Sequence, residues 1–106
     1  MSFIIAYVTH ENTSEARKLV EPLIEDGIIA CVNYFPITAM YRWREGIEES
    51  GEVVSLLKTR SENWDALCER IERLHSYETP CIIRLDVTAN QGYEEWIHES
   101  TETITK

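Results

Sequence analysis

Apolar positions along this chain change their period several times, and each change marks an element. Residues 3–9 form a short apolar run rich in β-formers and bounded by polar residues, which predicts a buried strand. Ala16, Leu19, Val20, Leu23 and Ile24 then recur at helical spacing. Asn12 stands three residues before Glu15 as an N-cap pair and Gly27 supplies the stop, so a helix is predicted over residues 13–26. Residues 28–43 are apolar and aromatic but interrupted by Pro36, and a proline in such a stretch marks an edge, a bulge or a break. The reading is two collinear strands. Glu45-Gly46 offers a tight turn, after which residues 47–59 return as a long strand with its apolar part at Val53, Val54, Leu56 and Leu57. Ser61 is placed to cap a second helix whose stripe is Trp64, Leu67, Cys68, Ile71 and Leu74. Pro80 separates that helix from a strand over residues 81–87, and Gly92 precedes a short amphipathic tail carrying Tyr93, Trp96 and Ile97, with Ile104 beyond it.

The order is therefore βαββαβ followed by a C-terminal helix. Two strand-helix-strand units with right-handed crossovers fold most simply into an α+β, ferredoxin-like plaited sheet with both helices on one face. The opposite face then needs a cover. A long hairpin bearing Tyr34, Phe35, Met40, Tyr41 and Trp43 presents more apolar and strand-edge surface than a lone subunit tolerates, so self-assembly is expected, although its order does not follow from the pattern.

Length and charge narrow the picture. The 106 residues suit one domain spanning residues 1–106, and a charged fraction of 27% beside a hydrophobic fraction of 43% is ordinary globular usage. A formal net charge of −9 argues against nucleic acid and anionic membrane surfaces, which require Lys/Arg patches, and leaves cationic partners electrostatically open. The N-terminus lacks a basic region and a cleavage site, and no apolar run is long enough to span a bilayer. Cys31, Cys68 and Cys81 are odd in number and have no CxxC spacing, which disfavours a disulfide framework and a thiolate zinc site and points to a reducing cytoplasm.

Several dense clusters are carried together: Ala30-Cys31-Val32-Asn33, the run from Tyr41 through Trp43 and Gly46 to Glu48, Glu52 with Leu57-Lys58-Thr59, Leu74-His75-Ser76-Tyr77-Glu78-Thr79-Pro80, and Tyr93-Glu94-Glu95-Trp96-Ile97. In this order and spacing the chain resembles the CutA divalent-cation-tolerance family. The resemblance implies a ferredoxin-like subunit in a compact homotrimer whose long hairpins pair between neighbours, with a topology similar to the PII signalling proteins. It implies a role in tolerance to divalent cations, copper in particular, and carries no catalytic residue across. Where the family pattern usually has an acidic residue after the Tyr-Glu-x-Pro segment this chain has Cys81, and Ser76 replaces the usual proline after His75. A thiolate is softer than a carboxylate and shifts metal preference toward Cu(I) or zinc.

The candidate metal ligands are His75, Glu78 and Cys81, at intervals of three residues across a helix-to-strand loop, offering imidazole, carboxylate and thiol donors to copper or another divalent metal. The alternative is that His75 and Glu78 are local hydrogen-bonders and Cys81 a small packed side chain. Cys31 and Cys68 fall on predicted core elements, His10 with Glu11 reads as a solvated pair at a strand end, and His98 is a weaker candidate still. Tyr41, Trp43, Glu48 and Lys58 either pack a subunit interface or line an inter-subunit cleft for a small ligand. No organic cofactor fingerprint is present. A PII-like regulatory trimer using Arg42, Arg44 and Lys58 for an anion or nucleotide is the rival reading, without a Gly-rich phosphate loop to support it. Catalysis by Cys81 or Cys31 with His75 as base would need the thiol and imidazole within hydrogen-bond reach, which the spacing does not require, so the chain is read as no enzyme.

Overall fold

The computed structural model describes residues 2–104. Strand β1 (Phe3–His10) leads into helix α1 (Thr13–Glu25), followed by β2 (Cys31–Trp43), β3 (Gly46–Thr59), α2 (Trp64–Leu74), β4 (Ile82–Val87) and α3 (Gln91–Glu99). The strands form one antiparallel sheet in the order β2-β3-β1-β4, the plaited arrangement expected of a ferredoxin-like βαββαβ chain.

Local sequence explains the start and stop of α1. The Asn12 side chain accepts the Glu15 backbone N–H at 2.9 Å. At the other end Gly27 adopts φ 74°, its N–H bonds the Ile24 carbonyl and the Ile28 N–H bonds the Leu23 carbonyl, a pairing that satisfies the last carbonyls of the helix. The α2 start differs from expectation. Ser61 begins a single 3-10 turn (Ser61–Asn63) and its hydroxyl meets Glu62, so it does not cap the helix.

Two further expectations are corrected at the hairpin. Residues 28–43 contain one strand and not two, because Pro36 sits in continuous register opposite Val53. Strand β2 is at the sheet edge, where one side carries no ladder and a missing N–H is tolerated. The turn also falls one residue early: Trp43 pairs with Gly46, leaving Arg44-Glu45 as the loop, and Arg44 takes the left-handed φ of 58°.

The register separates the two sheet faces. Ala6, Val8, Leu57 and Ile82 share one face, packed with Leu19, Val20 and Leu23 of α1 and Ala66, Leu67 and Ile71 of α2. Ile24 and Leu74, expected on the buried stripes, are exposed. On the opposite face Ile5 stands beside Leu85, Tyr7 beside Ile83, and Val54 beside Phe35. Helix α3 covers only one end of it, where Tyr93 meets Phe3 edge-on at 6.0 Å. Ile83 (49%), Leu85 (43%) and Phe35 (39%) remain open to solvent.

The C-terminal segment is fastened back. Asn63 donates to the carbonyls of Ile28 and Glu102 and accepts from the Ile104 N–H, while Arg60 donates to both Thr101 and Thr103. Ile104 is thereby packed against the core, as its apolar character suggested. Among the described residues no helix is long and apolar enough to cross a membrane.

Candidate functional site

A cleft of about 1060 Å³ lies between the far half of the hairpin, the end of β1 and the loop before β4. The hairpin contributes Tyr41, Arg42, Trp43 and Glu52; Glu11 follows β1; the loop supplies Tyr77, Glu78 and Cys81. The walls are aromatic and the charges unequal, with three carboxylates against one guanidinium. The Tyr77 hydroxyl donates to the Glu52 carboxylate at 3.4 Å. Burial first, then the neighbouring Glu52 and Glu11 charges, push its phenol up to about 12, so Tyr77 stays a neutral donor at any ordinary pH.

A histidine pair holds the loop in place. The backbone N–H of Tyr77 donates to His75 Nδ1 at 3.0 Å, which obliges Nε2 to carry the ring proton and donate to the Thr9 carbonyl at 2.8 Å. The His75 ring stacks on His10 with centroids 5.2 Å apart and an interplanar angle of 12°. His10 is buried and shares a 2.6 Å hydrogen bond between Nε2 and the Ser55 hydroxyl. Burial first, and the His75 charge second, lower its pKa from 6.5 to about 4, so His10 is neutral near pH 7. Serine and imidazole at this distance have the form of a nucleophile and base, yet Ser55 has no solvent exposure.

Both ring nitrogens of His75 are thus engaged by the backbone contacts that shape the loop, Nδ1 as acceptor and Nε2 as donor. Among the described residues no group of three His, Cys, Asp or Glu side chains is placed to hold a metal ion. The chain therefore brings Glu78 and Cys81 to the cleft while turning His75 away into a structural role, and the three form no ligand set within one subunit.

The second predicted cluster also divides. Tyr41 and Trp43 line the cleft, and Glu48 is the cross-strand neighbour of Tyr41. Lys58 lies near the other end of β3, donating to the Tyr93 hydroxyl at 3.1 Å, with Cys31 Sγ 3.5 Å from the same oxygen. Cys31 is therefore more than packing, since ammonium, phenol and thiol converge there. His98 bonds the Ser2 carbonyl. Sequence reading missed Glu52 and Tyr77 as lining residues, although both lie inside the clusters it singled out.

The family profile described as CutA1 divalent ion tolerance protein matches residues 4–100. The chain belongs to the CutA family. It is 43% identical to the divalent-cation tolerance protein CutA of Pyrococcus horikoshii over 100 residues, 93% of this chain and 98% of that one. The crystal structure of CutA1 from Pyrococcus horikoshii matches with a TM-score of 0.90 over the same shares of the two chains. The structure of the periplasmic divalent cation tolerance protein CutA from Archaeoglobus fulgidus matches with a TM-score of 0.89 at 34% identity, covering 96% of this chain and 100% of that one. CutA membership accounts for the plaited sheet, the long hairpin and the five sequence clusters together.

Proposed function

We propose that this protein acts in divalent-cation tolerance as a cytoplasmic homotrimer and not as an enzyme, holding a cation in the cleft between its hairpin and the loop before β4. The observation that carries this reading is the lining: Glu11, Glu52, Glu78 and Cys81 around one space, with Arg42 the single opposing charge. A net charge of −9 favours entry of cations over anions. Assembly is supported by the open sheet face and by hairpin side chains such as Ile47, which is 76% exposed and has no role in the subunit core. Because no three such donors converge among the described residues of one subunit, a copper or zinc ion here takes its remaining ligands from water or from a neighbouring copy. The cytoplasmic assignment rests on three cysteines, odd in number and joined by no disulfide.

Calorimetric titration with Cu(I), Cu(II), Zn(II) and ATP under reducing conditions tests the reading. Binding of a metal that weakens in Glu78→Gln and Cys81→Ser is expected. Binding of ATP alone, lost in Arg42→Ala, would favour the PII-like regulatory alternative instead.

A further inference from the structure

Three aromatic rings from two distant segments form a column at the end of β1. Ser55 on β3 shares the 2.6 Å hydrogen bond with His10 Nε2, the His10 ring stacks on His75 with centroids 5.2 Å apart, and the His75 ring meets Tyr77 at 4.7 Å and 48°. The Tyr77 hydroxyl then returns to β3 at Glu52. Ser55 and Glu52 stand at odd spacing on one strand and so point to opposite faces of the sheet, which takes the column around the end of β1 from the helix side to the open side. Every contact in it lies within one subunit, so it does not depend on how copies pair. His75 is engaged at both ring nitrogens, Nδ1 by the Tyr77 N–H and Nε2 by the Thr9 carbonyl, which leaves neither for a metal.

We propose that His10 and His75 are positioning residues of the cation site, setting the loop that carries Glu78 and Cys81 against the hairpin that carries Glu52, without either histidine touching the ion. The inference rests on the reading of Glu78 and Cys81 as cation donors and names the residues that fix where those donors stand. Between Leu74 and Ile82 the chain has neither helix nor strand, so its shape comes from side-chain contacts and not from a regular backbone ladder. Two of those contacts belong to His75: the Nδ1 acceptor turns the chain at Tyr77, immediately before Glu78, and the Nε2 donor ties the turn to the end of β1. His10 is buried and acts only through its stacked ring, which holds the His75 imidazole in the plane those two bonds require. Tyr77 carries the same constraint across to Glu52. Metal affinity depends steeply on donor position, and partners that orient the ligands typically change it about 10–100-fold.

The test uses Zn(II) as the probe and reads the histidines directly. Long-range proton–nitrogen NMR correlation is expected to show His75 as the Nε2–H tautomer both without metal and at saturating Zn(II); a zinc-coordinated ring nitrogen on His75 would overturn the inference. Calorimetry with Zn(II) then compares the parent with His10→Gln, His75→Ala and His75→Asn, and a thermal melt of each variant verifies that it folds. His10→Gln retains a partner for Ser55 and loses the ring. His75→Asn supplies an acceptor for the N–H two residues on, the geometry of an Asx turn, and brings no imidazole. The expected result is an affinity loss of about tenfold or more in His75→Ala, a smaller loss in His10→Gln, and recovery in His75→Asn. Equal loss in His75→Asn and His75→Ala, or lowered melting temperatures with Zn(II) affinity unchanged throughout, would overturn the inference and leave the cation site standing. Absence of Zn(II) binding by the parent would remove the cation reading and this inference with it.

Discussion

The base of the sheet and the far half of the hairpin are made of the same two strands and obey different rules. At the base β3 is paired on both sides, and Ile4, Ala6, Val8 and Leu57 are fully buried beneath α1 and α2. Strand β1 ends at His10 opposite Val53, and from Ile37 and Glu52 onward β2 and β3 have only each other. The result is an elongated subunit of 46 × 27 × 21 Å. An isolated two-stranded hairpin is marginal in water, so a projection this long with Met40, Tyr41, Trp43 and Ile47 exposed is not explained by subunit stability. The base holds the fold, and the exposed side chains of the hairpin are left for contacts outside the subunit core.

The sharpest way to break this contrast is truncation on either side of it. Leu67→Ala, at a fully buried site, is expected to cost about 2–5 kcal/mol in urea unfolding of the subunit. The matching change Trp43→Ala, at a side chain 56% exposed, is expected to cost less than about 1 kcal/mol under conditions where subunits are dissociated. A large loss for Trp43→Ala in the dissociated chain would place the hairpin tip in the subunit's own core.

The histidine pair gives the base a pH signature that the hairpin lacks. Unfolded His10 takes up a proton below about pH 6.5 and folded His10 only near pH 4, so the unfolded state binds more protons between these values. Stability from this group is complete above pH 6.5 and falls as pH drops toward 4, by up to roughly 3 kcal/mol. His10→Gln should flatten that part of the stability profile. An unaltered profile would show that His10 titrates normally.

Smaller effects distinguish the fastenings. Asn63→Ala removes the partners of the Glu102 carbonyl and the Ile104 N–H and should cost about 1–3 kcal/mol, with the C-terminal segment exchanging amide hydrogens faster. Arg44→Gly relieves a left-handed backbone at the hairpin turn and should change stability by less than about 1 kcal/mol, favourably if the strain exceeds the lost contact with Trp43. Thermal melts of the two variants separate a base effect from a tip effect.

Elements whose signals are local were legible in the sequence. The Asn12 cap, the Gly27 stop, the apolar run of β1 and the helical stripes of α1 and α2 marked the whole element order, and the resemblance clusters agree with it. Pro36 misled because a proline is forbidden only where both edges of a strand are paired, and which strand lies at the edge is decided by the whole sheet. Ser61 misled because the chain tightens into a 3-10 turn before the helix begins. The site was half legible. Glu78, Cys81, Tyr41 and Trp43 do reach one cleft, but the engagement of His75 by Thr9, and of Lys58 and Cys31 by Tyr93, joins residues distant in the chain with no local signal.

The division between a base that holds the fold and a hairpin proposed to hold a cation is tested most directly by amide hydrogen exchange with and without added Zn(II). Slower exchange confined to residues 38–52 and 75–81, with β1, α1 and α2 unchanged, is the predicted footprint. Protection spread over the base, or absent from the hairpin and loop while the cation binds, would contradict it.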